Sequence, residues 1–165
     1  MVRLAQDYAG QGAWGPVLLL ALAGSGLLVF GGALAWRDAH SHLLPDRLVV
    51  LLALSVIPAL ALAALWAGEP GRASRALAAA AAAGGLFLAL HLASPRSLGF
   101  GDVKLAPVLG FACGFLSWGH LALAGVAACL FSGVWAAVLL ARGGRTAHVP
   151  LGPGLVLGVW LAYVV

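Results

Sequence analysis

Between residues 14 and 36 the chain runs for 23 positions without one charged side chain, and that stretch removes most folds from consideration. A helix needs about 20 consecutive apolar residues to cross the hydrocarbon of a bilayer. In lipid, only helices and closed barrels satisfy their own backbone polar groups. The apolar region of a cleaved signal peptide is only about 7–15 residues long, so this run reads as a span. Further apolar runs occupy residues 48–66, 76–92, 103–116, 121–141 and 151–165. The fourth and the last are short for a comfortable full crossing. Pro58 lies inside the second run, where a membrane helix tolerates it as a kink. The third holds six alanines at 78–83 followed by Gly84 and Gly85, small residues that let helix backbones approach closely. Hydrophobic residues make up 63% of the chain and charged residues 8%, where a soluble domain has roughly 25% charged. The expectation is an all-α, polytopic integral membrane protein of about six transmembrane helices. A short tail at 1–13 precedes a single membrane-embedded domain at 14–165, with no separate soluble domain.

The nine basic and five acidic residues give a net charge of +4. The basic residues sit singly between apolar runs, as topology determinants do, and form no aromatic-interleaved patch for nucleic acid. Arg3, Arg72 and Arg75 belong to the N-terminus and the second connection, while Arg37, Arg47, Arg96, Lys104, Arg142 and Arg145 belong to the other three. Six against three places the second group in the cytoplasm and both termini outside. Cys113 and Cys129 lie in apolar stretches without a CxxC pair and read as buried free thiols.

Asp7 and Glu69 fall on the outer side of this arrangement; Asp38, Asp46 and Asp102 fall at span ends on the cytoplasmic side. Ionisable groups at membrane depth are costly and point to function, yet each has a plainer reading. Asp46 follows Pro45 at the start of the second run and reads as a helix cap. Asp38 is either a functional group or an interfacial charge. Asp102 lies in Gly99-Phe100-Gly101-Asp102-Val103-Lys104-Leu105, where two glycines permit close backbone approach; the alternative is a glycine turn followed by an Asp cap. Lys104, two positions on, does not share a helical face with Asp102 and reads as a snorkelling anchor.

Two facing aspartates form an acid/base pair for peptide hydrolysis, because close carboxylates cannot both ionise easily. One takes a proton from attacking water while the other donates to the carbonyl oxygen, and no metal or other cofactor is called for. The five histidines lack zinc-helix spacing and no HExxH occurs; His40 and His42 read as a solvated loop pair. A GxSxG elbow is also missing.

The segment Asp38-Ala39-His40-Ser41-His42-Leu43-Leu44-Pro45-Asp46 resembles the first signature of the type IV prepilin peptidases, and Gly99 to Leu105 resembles their second, the GxGD segment. Val149-Pro150-Leu151-Gly152-Pro153-Gly154-Leu155 is similar to the family's C-terminal Pro-Phe-Gly-Pro-Phe loop, with Leu151 and Gly154 replacing the phenylalanines. The resemblance runs from about residue 34 to residue 158.

It implies a membrane aspartic endopeptidase that removes basic leaders from prepilins or pilin-like proteins at the cytoplasmic membrane face. Asp38 and Asp102 match the catalytic aspartates, and Asp46 the Pro-Asp/Asn position. Gly99, Gly101, Lys104, Pro150, Gly152 and Pro153 are candidates for substrate contact. Type IV pilins, secretion or competence pseudopilins and Flp-type pilins all fit as substrates. Many members also carry paired CxxC motifs and methylate the new N-terminus; this chain has no CxxC, so methyltransferase activity is not expected. The rivals are a small proton- or cation-coupled transporter using the same aspartates and a non-catalytic assembly factor.

Overall fold

The computed structural model describes residues 1–41, 45–94, 98–141 and 151–164, and those residues are helical nearly throughout. A short helix α1 (Val2–Gly10) leads into α2 (Trp14–Gly26), which continues through a π-helical segment (Leu27–Gly31) into α3 (Gly32–Ser41). Then follow α4 (Asp46–Trp66), α5 (Pro70–Ala93), α6 (Phe100–Leu116), α7 (Trp118–Ala141) and α8 (Gly152–Val164). Four stretches are long and apolar enough to cross a membrane on their own: Trp14–His40, Asp46–Trp66, Pro70–Ala93 and Trp118–Val138. With α6 and α8 the bundle has about six spanning elements, as the hydropathy suggests.

The elements are longer than the apolar runs, and two expectations change as a result. Residues 1–10 are no loose tail: α1 is helical and lays the buried Tyr8 against the bundle, with its hydroxyl donating to Glu69 Oε2 at 3.0 Å. Arg72 also bonds that carboxylate and holds the Glu69 carboxyl below its usual range, with burial opposing. The second difference is the first span, which does not end near Trp36. At about 1.5 Å per residue the helix from Trp14 to His40 is roughly 40 Å long, beyond the approximately 30 Å of hydrocarbon. The span therefore has length to spare for tilt or for turns beyond the hydrocarbon.

At the centre of the bundle is α6, buried along most of its length from Asp102 to Phe115 and packed by α4, α5, α7 and α8. Lipid supplies no hydrophobic drive between helices, so close backbone packing must hold them. The alanine run of α5 provides one side of that contact. Its partners, which pass unremarked in a reading of runs, are Gly110 and Gly114, four residues apart on α6. A Cβ added at Gly110 would lie 2.7 Å from the Ala83 Cβ and 2.9 Å from the Ala79 carbonyl oxygen, and one at Gly114 would collide with Ala79. A second seam joins α7 to α8, where Gly158 faces Ala124 and Ala128, and Gly154 faces Ser132.

Arg75 is part of α5 rather than of a connection. Its guanidinium donates to the carbonyls of Gly114 at 2.8 Å, Phe115 at 2.8 Å and Leu116 at 2.9 Å. Those are orphan carbonyls at the negative end of α6, so a residue counted as a topology charge is also a cap. Cys113 is buried as expected, whereas Cys129 is exposed on α7, in the lipid-facing part of a span.

Gly110→Val should lower stability by about 1–3 kcal/mol, the usual cost of overpacking, because a backbone carbonyl blocks the new side chain. Gly85→Ala, which meets nothing within 4 Å, should leave it unchanged or higher. Thermal unfolding in detergent micelles checks both.

Candidate active site

Asp38 sits on α3, one turn before its end, as a helical residue rather than in a loop beyond the span. Only 5% of its surface is exposed, which removes the reading as a plain interfacial charge. The N–H of Gly152, the first residue of α8, donates to Asp38 Oδ2 at 2.9 Å. A carboxylate so placed takes up an orphan donor and meets the positive end of the helix. Nothing larger than glycine fits: a Cβ on residue 152 would lie 2.7 Å from Oδ2 and 3.1 Å from the Asp38 Cγ.

Asp102 approaches from α6. The N-cap of that helix is Gly99, in extended conformation, and Asp102 is the third helical residue with its N–H bonded to the Gly99 carbonyl at 3.1 Å. The simple Asp-cap reading is therefore incorrect. The side chain is 6% exposed, and Oδ1 is buried without a hydrogen-bond partner among the described residues. Oδ2 lies over Gly99, where an added Cβ would come within 3.5 Å of it. Asp38 is near enough to act on Asp102 electrostatically. Among the described residues these two are the buried charged side chains, although they are 64 positions apart in sequence.

Asp46 and Lys104 turn out differently. Asp46 is the first residue of α4, with Pro45 as N-cap, so it does not cap the helix by its side chain. Its carboxylate instead receives the Lys104 ammonium, at 2.8 Å to each oxygen. Lys104 is thus an ion-pair partner, not a free anchor, and its partner is Asp46 rather than Asp102. The same ammonium lies 5.2 Å from the centre of the Phe100 ring. His40 is helical too: its Nδ1 donates to the Trp36 carbonyl at 2.9 Å and its ring rests on Trp36. His40 is thus helical rather than in a loop, and it is exposed, while His42 lies outside the described residues. Gly101 follows Phe100 in the first turn of α6, and Pro153 follows Gly152 in α8. Pro150 lies outside the described residues. No group of three or more His, Cys, Asp or Glu side chains that could hold a metal comes together among the described residues.

Two buried carboxylates, one from α3 and one from α6, thus belong to one helical bundle. Residues 14–139 match the type IV leader peptidase family. The chain belongs to that family. The matched region contains both aspartates, so this leader peptidase homologue carries a protease fold with α8 lying beyond the matched part. No curated protein and no solved structure gives a significant match.

Gly152→Ala should push the Asp38 carboxylate off its N–H donor and cut leader-peptide cleavage by at least tenfold, since misplacement of about 1 Å costs up to about a hundredfold. Gly125→Ala, with open space around it, should cleave like the wild type in the same gel-shift assay.

Proposed function

We propose that this chain is a membrane aspartic endopeptidase that removes the basic leader from prepilins or pilin-like proteins, with Asp38 and Asp102 as its catalytic pair. The observation that carries this reading is a pair of buried carboxylates, from α3 and α6, close enough for the charge of one to bear on the other, in a member of the leader peptidase family. One carboxylate, ionised, takes a proton from water as its oxygen attacks the scissile carbonyl. The other, protonated, donates to the carbonyl oxygen, giving a tetrahedral diol. Collapse breaks the C–N bond: the first carboxyl gives its proton to the departing amine, and the second carboxylate takes back a proton from the diol as the new carboxyl group's C=O forms. The Gly152 N–H on Asp38 suits that residue to the base role, and Asp102, with Oδ1 unpartnered among the described residues, suits the acid role.

The substrate chemistry follows from the location. A pilin precursor has a basic leader and then a long apolar helix, so the helix lies in the bilayer beside the enzyme while the leader stays in water. In this reading the site faces the cytoplasm, both termini face outward, and the enzyme resides in the cytoplasmic membrane. The excess of basic residues at the connections near Asp38 and Asp102 supports that orientation. Gly99 and Gly101 on one side, and Gly152 and Pro153 on the other, would line the path of the extended scissile segment. Without a CxxC pair, the new N-terminus is left unmethylated.

Co-expression with a candidate prepilin, followed by N-terminal mass of the product, tests this. The expected product lacks the basic leader and bears no methyl group. Asp38→Asn and Asp102→Asn keep side-chain shape but remove acid/base function, and each should slow cleavage by at least about a hundredfold. Undiminished cleavage in either variant would contradict the two-aspartate mechanism. Ion flux in place of cleavage would favour the transporter.

A further inference from the structure

The Asp46–Lys104 ion pair serves neither as a helix cap nor as a contact to either buried aspartate. Its side chains are 68% and 40% exposed, so as a stabiliser it contributes little. Its placement is more informative than its strength. Lys104 is on the first turns of α6, where a cation sits unfavourably at the positive end of the helix; the Asp46 carboxylate, reached across from α4, offsets that. Asp102 and Lys104 are two residues apart and so point to nearly opposite faces of the same turn. Asp102 is buried within the bundle, while Lys104 reaches outward to the first residue of α4.

The inner face of that turn is held by burial of Asp102, Leu105 and Ala106 in the bundle, and its outer face carries Lys104. Helix ends fray readily, and the Gly99 N-cap has no side chain to bond the free amides. On the α5 side, the Phe100 ring lies under the Lys104 ammonium and 5.5 Å from the His91 ring, while His91 Nδ1 donates to the Leu98 carbonyl at 2.9 Å. Beside that packing, the outer face of the first turns of α6 is tied to α4 by the ion pair and to α5 by the aromatic contact.

We propose that the Asp46–Lys104 pair is a latch that fixes the rotation of this turn and so aims Asp102 at Asp38, making both members positioning residues for the cleavage reaction. The inference rests on the function proposed above. Breaking the latch lets the turn rotate or fray, and Asp102 then spends less time facing its partner. Substrate binding, which does not depend on that aim, is unaffected.

The full chain in lipid nanodiscs, with a prepilin as substrate, tests this through Lys104→Met, Asp46→Asn, their double variant and Lys104→Arg. The latch predicts that each single substitution lowers kcat by roughly tenfold with KM unchanged, and that the double falls no further because the two act as one unit. Lys104→Arg, which keeps the ion pair, should restore kcat. Hydrogen exchange of the amides in residues 99–106 should quicken in the Met and Asn variants and not in Lys104→Arg. Unchanged kcat in the single variants overturns the latch. A rise in KM confined to Lys104→Met also overturns it and makes Lys104 a substrate contact. A wild type that cleaves no prepilin refutes the peptidase reading instead; exchange then decides the latch alone, and amides as protected in the variants as in the wild type overturn it.

Discussion

Close approach of helix backbones is the constraint on which the rest of this protein depends. In a bilayer the tails of the lipids are as apolar as leucine, so helices adhere by fit rather than by exclusion of water. Here glycines supply the fit twice. Gly110 and Gly114 bring α6 against the alanines of α5, while Gly154 and Gly158 bring α8 against α7. Each seam also carries one half of the site. Helix α6 delivers Asp102, and α8 delivers the Gly152 N–H that receives Asp38. The same seams that hold the bundle together therefore determine whether the two carboxylates meet.

The two ends of the bundle are chemically distinct. At one end α1, the α4–α5 connection and the C-terminus of α6 are joined by Tyr8, Glu69, Arg72 and Arg75, each with its charge or hydroxyl satisfied. At the other end Asp38 and Asp102 are buried, with Asp102 Oδ1 left without a donor among the described residues. A folded protein normally bonds its buried polar groups; Asp102 Oδ1, like Ser132 Oγ and Trp160 Nε1, departs from that among the described residues.

Much of this was legible in the sequence because membrane physics is restrictive. Uncharged runs of helical length identify the class, and the rare carboxylates Asp38 and Asp102 at their ends could be singled out as candidates before any coordinates. What stayed hidden was whatever depends on which helices become neighbours. The Asp46–Lys104 pair joins residues 58 positions apart, and nothing local to either predicts it. Asp46 instead looked like a cap, because Pro-Asp before an apolar run has that appearance. Helix α1 escaped because so short a helix shows no span-length hydrophobicity, and the true end of α3 escaped because Arg37 and Asp38 interrupt hydropathy without interrupting the helix. The glycines at 110 and 114 carried a readable four-residue spacing, which becomes meaningful once set against the alanines of α5.

The central claim is that Asp38 and Asp102 face each other across the end of the bundle. Thiol cross-linking measures this directly. In a background with Cys113 and Cys129 replaced by alanine, Asp38→Cys with Asp102→Cys is treated in native membranes with a short bis-maleimide, beside Asp46→Cys with Lys104→Cys as the reference pair. The account predicts that both pairs link within one chain, detected as a joined pair of peptides by mass. Efficient linkage of the reference pair with none between 38 and 102 would show that the two carboxylates do not share a site.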